Sequence, residues 1–337
     1  MRSARVTTLE GLTYCVHGLR IEAWANHPHL AEAMDGLFHR YAEAAPGAPK
    51  RETLNCQMEV VESLPLIVPP DATVVNEQGG LRHSALDGRL FLEARGLSLS
   101  VADFHARRMA VYVVRERAGA LWSIQHFAIL PMVLEFLRLR GLYPIHGAAL
   151  ESNGHALILP ALPGSGKSTL SIALLRAGLR LLSDDMPLLT KREGGVQVLA
   201  FPEDINVCAD GLGFFRELAF LAGHAPNERN KYSFPADALF PGCLAEQARP
   251  RLLVFPSIAR TPTSLLQPMG KSEAFLALLE HSMPPANRGL ATDHFETMMD
   301  TAASCDCYRL QTGTDPDEAA RQLAGLLDRD TRCLRPV

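Results

Sequence analysis

Apolar and polar residues alternate with period two in four stretches between Leu54 and Arg117: LNCQMEVVES, GRLFLEA, LSLSV and MAVYVVRE. Such alternation turns one face of a strand inward and the other outward, and the turn residues between the stretches support strands. A helix is expected before them, over 29–45. A second follows over 120–139, closed by Gly141. The pattern then changes. YPIHGAALES reads as a strand, Asn153-Gly154 as a hairpin turn, and HALILPA as a fully apolar strand. A helix over 167–177 stops at Gly178, and LRLLS is another buried strand. MPLLTKREGGVQVLAF reads as a hairpin turning at Gly194-Gly195. Further on come a helix over 211–221, a polar loop over 224–231, the strand RLLVFPSIA, helices over 271–281 and 287–301, the strand CYRLQT and a helix over 316–328. Strands that alternate with helices indicate an α/β core with a mixed sheet. Two domains are expected: a strand-rich α+β part over 1–118 and an α/β part over 119–337.

Composition narrows the classes. The 337 residues are 47% hydrophobic and 21% charged, which suits a chain able to bury a real core. A net charge of −4 gives no basic surplus for nucleic acid or an anionic membrane surface. The longest apolar run, around 127–139, contains Pro131, Glu135 and Arg138 and is too short and too charged to span a bilayer. The first residues lack an apolar core, so no signal peptide is expected. Seven scattered cysteines, an odd number, suit free thiols in a reducing cytoplasm. Cys305-Asp306-Cys307, with Cys333 further on, lacks the paired spacing of a zinc site.

The chemistry concentrates in LILPALPGSGKSTLSIALLRAGLRLLSDDMPLL. Ala161 to Ser168 fits [AG]-x4-G-K-[ST], the phosphate-loop pattern. Gly164 and Gly166 let backbone N–H groups turn inward around phosphates, and the following helix N-terminus adds positive potential. Lys167 is placed to reach the β- and γ-phosphates, and the Ser168 hydroxyl to ligate Mg²⁺. Pro163, Gly164, Ser165, Gly166, Lys167, Ser168 and Thr169 are therefore the expected nucleotide-binding residues, with ATP and Mg²⁺ as cofactors. The plain alternative is a Gly/Ser-rich turn linking strand to helix.

Asp184 and Asp185 follow Lys167 by one helix, one Gly stop and one strand. They are expected at the C-terminal end of a strand beside the loop strand, the edge where α/β sheets bind ligands. Three readings are open: a turn cap, a metal-holding acid, or a base for a hydroxyl acceptor.

His146-Gly147, the loop and the Asp pair occur in the order and spacing found in the catalytic domain of HPr kinase/phosphorylase, which this stretch resembles over roughly 143–205. The resemblance implies a mixed-sheet P-loop kinase core of the HPr kinase/phosphoenolpyruvate carboxykinase type. It implies Asp184 as the proton acceptor, Asp185 as a partner through Mg²⁺ together with Ser168, His146 as a group near the γ-phosphate, and a homo-oligomer. FPEDINVCADGLGFFREL stands where that family carries a Gly-, Arg- and Glu-rich segment, so HPr itself is not carried over as the acceptor.

Phosphoryl transfer also needs cations around the equatorial oxygens. Lys231 and Arg229 in NERNKYSFP are the candidates besides Lys167, with Arg216 and Arg260 behind them, and Glu203 and Asp204 could hold metal. The leading expectation is an ATP-dependent kinase acting on a serine of a protein or peptide. The same machinery acting on free serine or another metabolite is the second. A nucleotide-dependent binding module without turnover is the third.

Overall fold

The computed structural model describes residues 11–42, 53–201, 203–259 and 261–328. The chain forms two compact units: Met1–Arg140 with Ala286–Arg288, and Gly141–Pro285 with Gly289–Val337.

In the first unit, β1 (Leu12–Val16) and β2 (Leu19–Ala25) form a hairpin. Its turn, His17-Gly18, has positive φ at both residues, as tight hairpin turns require. Helix α1 (Pro28–Phe38) starts at Pro28, whose fixed φ suits a first helical position. It crosses to β3 (Thr53–Val61), parallel to β2. Then β4 (Thr73–Gln78), β5 (Leu81–Leu86), β6 (Arg89–Ala94), β7 (Ser98–Asp103) and β8 (Arg108–Val114) run as an antiparallel meander. β8 closes against β3 in parallel, giving the order β1-β2-β3-β8-β7-β6-β5-β4.

The helix expected over 29–45 ends at Phe38 and tightens into a 3₁₀ turn over His39–Tyr41, and 43–45 lie outside the described residues. The helix expected over 120–139 is interrupted. α2 (Leu121–Ile124) passes into a π turn over Gln125–Ile129, then α3 (Leu130–Arg138). Pro131 explains this: it has no N–H, its ring crowds the carbonyl four residues back, and the Leu130 amide reaches Gln125 O instead. This segment packs on β6 and β7, and the buried Ser100 hydroxyl donates to Ala128 O at 2.9 Å. The first unit therefore ends at Arg140, and not at the expected 118. Within it, Glu135 and Arg138 form a buried ion pair at 2.5 Å.

The second unit contains β9 (Tyr143–Pro144), β10 (Gly147–Ser152), β11 (His155–Pro160), α4 (Lys167–Arg176), β12 (Arg180–Ser183), β13 (Leu188–Arg192) and β14 (Gly195–Leu199). There follow β15 (Ile205–Cys208), α5 (Ala209–Leu212), β16 (Lys231–Phe234), α6 (Ala236–Leu239), β17 (Gln247–Ile258) and β18 (Leu265–Pro268). α7 (Lys271–His281), α8 (Ala291–Ser304), β19 (Asp306–Thr312) and α9 (Pro316–Asp328) complete it. The main sheet is mixed, as the sequence predicts. β17 lies at its centre, parallel to β11 and β19 and antiparallel to β14. One apolar cluster joins the sheet to α4 and α9, with Leu157, Leu159, Leu170 and Leu323 at 0–1% exposure. Each such leucine contributes roughly 1.5–3 kcal/mol by leaving water. A second cluster joins the sheet to α7 and α8.

Three expectations change here. β12 pairs with β10, which separates it from the loop strand β11. Since β10 is antiparallel to both, β12 and β11 still point the same way and end at the same sheet edge. The helix expected over 211–221 breaks after α5 at Gly213 and resumes as a 3₁₀ segment over Arg216–Gly223. The strand expected over 143–152 breaks at Ile145-His146. β15, β16 and β18 were not anticipated; β15 and β16 form a ribbon of their own.

Candidate active site

The apolar strand β11 delivers the chain to an exposed turn, and α4 begins at Lys167. Gly164 and Gly166 both have φ of 87°, a conformation that a side chain would strain. At Gly166 a side chain would also press on Ile258 at the end of β17. The Ser165 amide donates to Leu162 O at 3.2 Å, closing the turn. The first amides of α4 have no partner within the helix, and the helix dipole adds to them, so an anion is favoured at this point. Ser165 Oγ is buried and accepts or donates no hydrogen bond among the described residues. These features fit a polyphosphate. Thr169 lies beyond the mouth, half-buried near Gly211.

The Asp pair stands at the end of β12 and engages the first turn of α4. Ser168 Oγ donates to Asp184 Oδ2 at 2.8 Å. Lys167 Nζ donates to Asp185 Oδ1 at 2.6 Å and also to the Asp184 carbonyl. Asp184 is 2% exposed, and its Oδ1 accepts no hydrogen bond among the described residues. Burial raises its pKa above the usual carboxylate range, against the pull of Lys167 and the Ser171 and Ser168 hydroxyls. Burial alone would lower the Lys167 pKa, but Asp184 and Asp185 outweigh it and the ammonium is held above its ordinary value. Asp185 differs from Asp184 in being open, with 29% of its side chain exposed.

His146 occupies the break between β9 and β10. Three successive amides there are taken by two segments: Ile145 N donates to Pro187 O and Gly147 N to Asp185 O at 3.0 Å, both in the link between β12 and β13, and His146 N donates to His281 O at 2.8 Å. The His146 carbonyl in turn accepts from Ala161 N at 3.3 Å, which ties the histidine to the base of the loop. Gly147 faces Pro160 across the sheet, and a Cβ there would lie 2.6 Å from Leu159 O, so the residue after His146 must be glycine. His146 Nδ1 stands 3.6 Å from Asp185 Oδ1. Burial lowers its pKa; Asp185 opposes this, and Lys167, Arg229 and Lys231 reinforce it, so the neutral imidazole prevails at pH 7.

Lys231 begins β16 and its pKa is lowered by burial and then by Arg229 and Lys167, while Asp185 and Asp184 pull the other way. Both Lys231 and Arg229 therefore act electrostatically on the same few residues. Glu203 joins them. Its Oε1 is sealed from solvent with no hydrogen bond among the described residues, and burial, then Asp185, push its pKa up to about 8. Asp204 adds to that repulsion. Arg216 is exposed at the start of its 3₁₀ segment, and Arg260 lies outside the described residues. Cys305 and Cys307 are buried free thiols, and Cys333 lies outside the described residues.

Among the described residues no three His, Cys, Asp or Glu side chains are arranged to hold a metal ion by themselves. Magnesium does not require that, since it commonly binds through one or two protein ligands plus substrate phosphates. Ser168 and the Asp pair, with surplus buried negative charge, fit such a shared ion. No helix among the described residues is long and apolar enough to cross a membrane.

No family model matches the chain, and no protein of curated function does. Among solved structures, it is similar to the Hpr(Ser) kinase/phosphatase from Coxiella burnetii at 13% identity. That match covers 56% of this chain and 90% of the other, with a TM-score of 0.29.

Proposed function

We propose that this chain is an ATP-dependent phosphotransferase that moves a γ-phosphoryl group onto a hydroxyl, with a serine of a protein or peptide as the acceptor. The observation that carries this reading is the pair of carboxylates at the mouth of the glycine turn: one sealed and bonded to Ser168, the other open and bonded to Lys167. A turn cap needs neither the buried lysine nor the orphaned oxygens.

A hydroxyl is a poor nucleophile until a positioned base takes its proton. In the proposed step the acceptor proton passes to an aspartate and the acceptor oxygen bonds to the γ-phosphorus. The bond from that phosphorus to the β,γ-bridging oxygen breaks, and ADP leaves. Lys167 supplies a buried cation next to both carboxylates, and Lys231 and Arg229 add charge nearby. Magnesium, held by Ser168 and one aspartate, would neutralise phosphate charge. His146, neutral and facing Asp185, can orient the open carboxylate by its ring.

The resemblance gives Asp184 the role of base and Asp185 the metal. The geometry favours the reverse: a base must touch the acceptor, and Asp184 is sealed whereas Asp185 is open. Transfer from γ-labelled ATP into a lysate of the native host separates the two. If Asp185 is the base, Asp185→Asn abolishes labelling at every Mg²⁺ concentration, while Asp184→Asn is partly restored by excess Mg²⁺. The opposite pattern returns the base to Asp184. Full labelling by both variants would remove the aspartates from the reaction. A labelled small metabolite with no labelled protein would move the acceptor to free serine or a similar compound.

A further inference from the structure

The turn that carries Arg229 and Lys231 is built around a single side chain. Asn227 Oδ1 accepts from the amides of Arg229 at 3.0 Å and Lys231 at 3.1 Å. Its Nδ2 donates to Asn206 Oδ1 and to Ser233 Oγ, both at 3.1 Å. In the main chain, Asn227 N donates to Lys231 O and Asn230 N to Asn227 O, both at 2.8 Å, with Asn230 at φ 57°. Backbone amides only donate, so they fix which end of the Asn227 amide is oxygen.

The partners of Asn227 lie on both strands of the β15–β16 ribbon. Asn206 is on β15, which continues directly from Glu203 and Asp204, and Asn206 Nδ2 donates to Asp204 O at 2.9 Å. Ser233 is on β16 and donates to Asn206 Oδ1 at 2.7 Å. One amide thus fastens the cationic turn to the strand that leaves the acidic segment. Alanine can make none of these bonds. Aspartate keeps the two acceptor contacts to Arg229 and Lys231 and loses the donor.

Resting on the phosphotransferase reading, we infer that Asn227 is a positioning residue that holds Lys231 and Arg229 where a terminal phosphate would lie, without touching the nucleotide itself. A charge so placed favours a triphosphate over a diphosphate, because only the former carries the extra anionic group near the carboxylates.

The test measures affinities for the fluorescent analogues mant-ATP and mant-ADP with Mg²⁺, on the full chain, for Asn227→Ala, Asn227→Asp, Lys231→Met with Arg229→Met, and all three of the alanine and methionine changes together. Asn227→Ala is expected to weaken mant-ATP about tenfold, the scale of losing one charge-assisted contact, and to leave mant-ADP within about twofold. Asn227→Asp recovers part of the loss. In the Lys231→Met, Arg229→Met background, adding Asn227→Ala changes nothing further, since a residue acting through two others has no effect in their absence. Equal weakening of both nucleotides, or a loss that persists undiminished in that background, overturns the inference and leaves the nucleotide site standing. A wild-type chain that binds neither nucleotide overturns the phosphotransferase reading and this inference together. Melting curves on each variant separate a lost turn from a lost fold: a variant that melts like the wild type yet shows no ATP-selective loss counts against the inference. For a variant that unfolds, Asn227→Asp supplies the deciding affinity.

Discussion

Both units bury charge, and they do so in opposite ways. In the first, Glu135 and Arg138 are each almost fully covered and answer one another at 2.5 Å, with the Ala286 amide adding a bond to Glu135 at 3.2 Å. In the second, one buried ammonium, Lys167, stands among three carboxylates, those of Asp184, Asp185 and Glu203. A matched buried pair holds a scaffold in shape. A surplus of buried carboxylate destabilises the fold and persists where a ligand supplies the missing charge.

The largest expected effect tests the matched pair. Glu135→Ala leaves Arg138 buried without its carboxylate and should cost about 3–5 kcal/mol, read from the midpoint of urea unfolding. Asp184→Asn removes a charge from a site with too many, keeps an acceptor for Ser168, and should leave the melting temperature unchanged or raise it. A large loss of stability in Asp184→Asn would erase the contrast. Next is Lys167→Ala, which removes the cation beside both aspartates; it should lower phosphoryl transfer by roughly 10²–10³, the usual scale for one lost charge-stabilising group. A smaller effect comes from Gly147→Ala, whose methyl would meet Leu159 O and should cost about 1–3 kcal/mol as overpacking does. It should also shift His146 and reduce transfer beyond what lost stability explains.

The smallest effect is a slope. Glu203 holds its proton in the folded chain up to about pH 8, whereas the unfolded chain releases it near the ordinary value of 4.5. Between those values the native state binds more protons, so this group makes stability fall as pH rises. Glu203→Gln should flatten that fall, with the gain over wild type larger at pH 8 than at pH 5. An unchanged slope in thermal melts would mean that Glu203 titrates normally. Added Mg²⁺ without nucleotide should flatten the wild-type slope in the same direction, because added positive charge favours the ionised carboxylate.

The parts of this site that were legible in the sequence are those built from neighbours in the chain. Ala161 to Ser168 are contiguous and form one glycine turn leading into α4, and Asp184-Asp185 follow by a length that one helix and one strand fill. Strands with clear alternation were equally plain, and α7 and α9 lie where periodicity puts them. What was hidden depends on distant partners. INVC and KYSF are four residues each, too short for a period to show, and they become strands by pairing with one another. His146 leaves the strand pattern because three amides around it bond to two distant segments, the link after β12 and the end of α7, which no local rule reports. The end of the first unit was misplaced because the 121–138 segment belongs by packing to the sheet before it. Asn227 gave no signal beyond a polar loop, since its part rests on bonds to residues 21 and 6 positions away.

On the proposed reading the two aspartates serve a phosphoryl transfer and not merely a bound nucleotide. The measurement that addresses it most directly is transfer of label from γ-labelled ATP with Mg²⁺ into native-host lysate, comparing the wild type with a chain carrying both Asp184→Asn and Asp185→Asn. A labelled acceptor is expected with the wild type and none with the double variant, although the double variant is folded and still binds ATP. No label from a wild type that binds ATP, or undiminished label from the double variant, would contradict it.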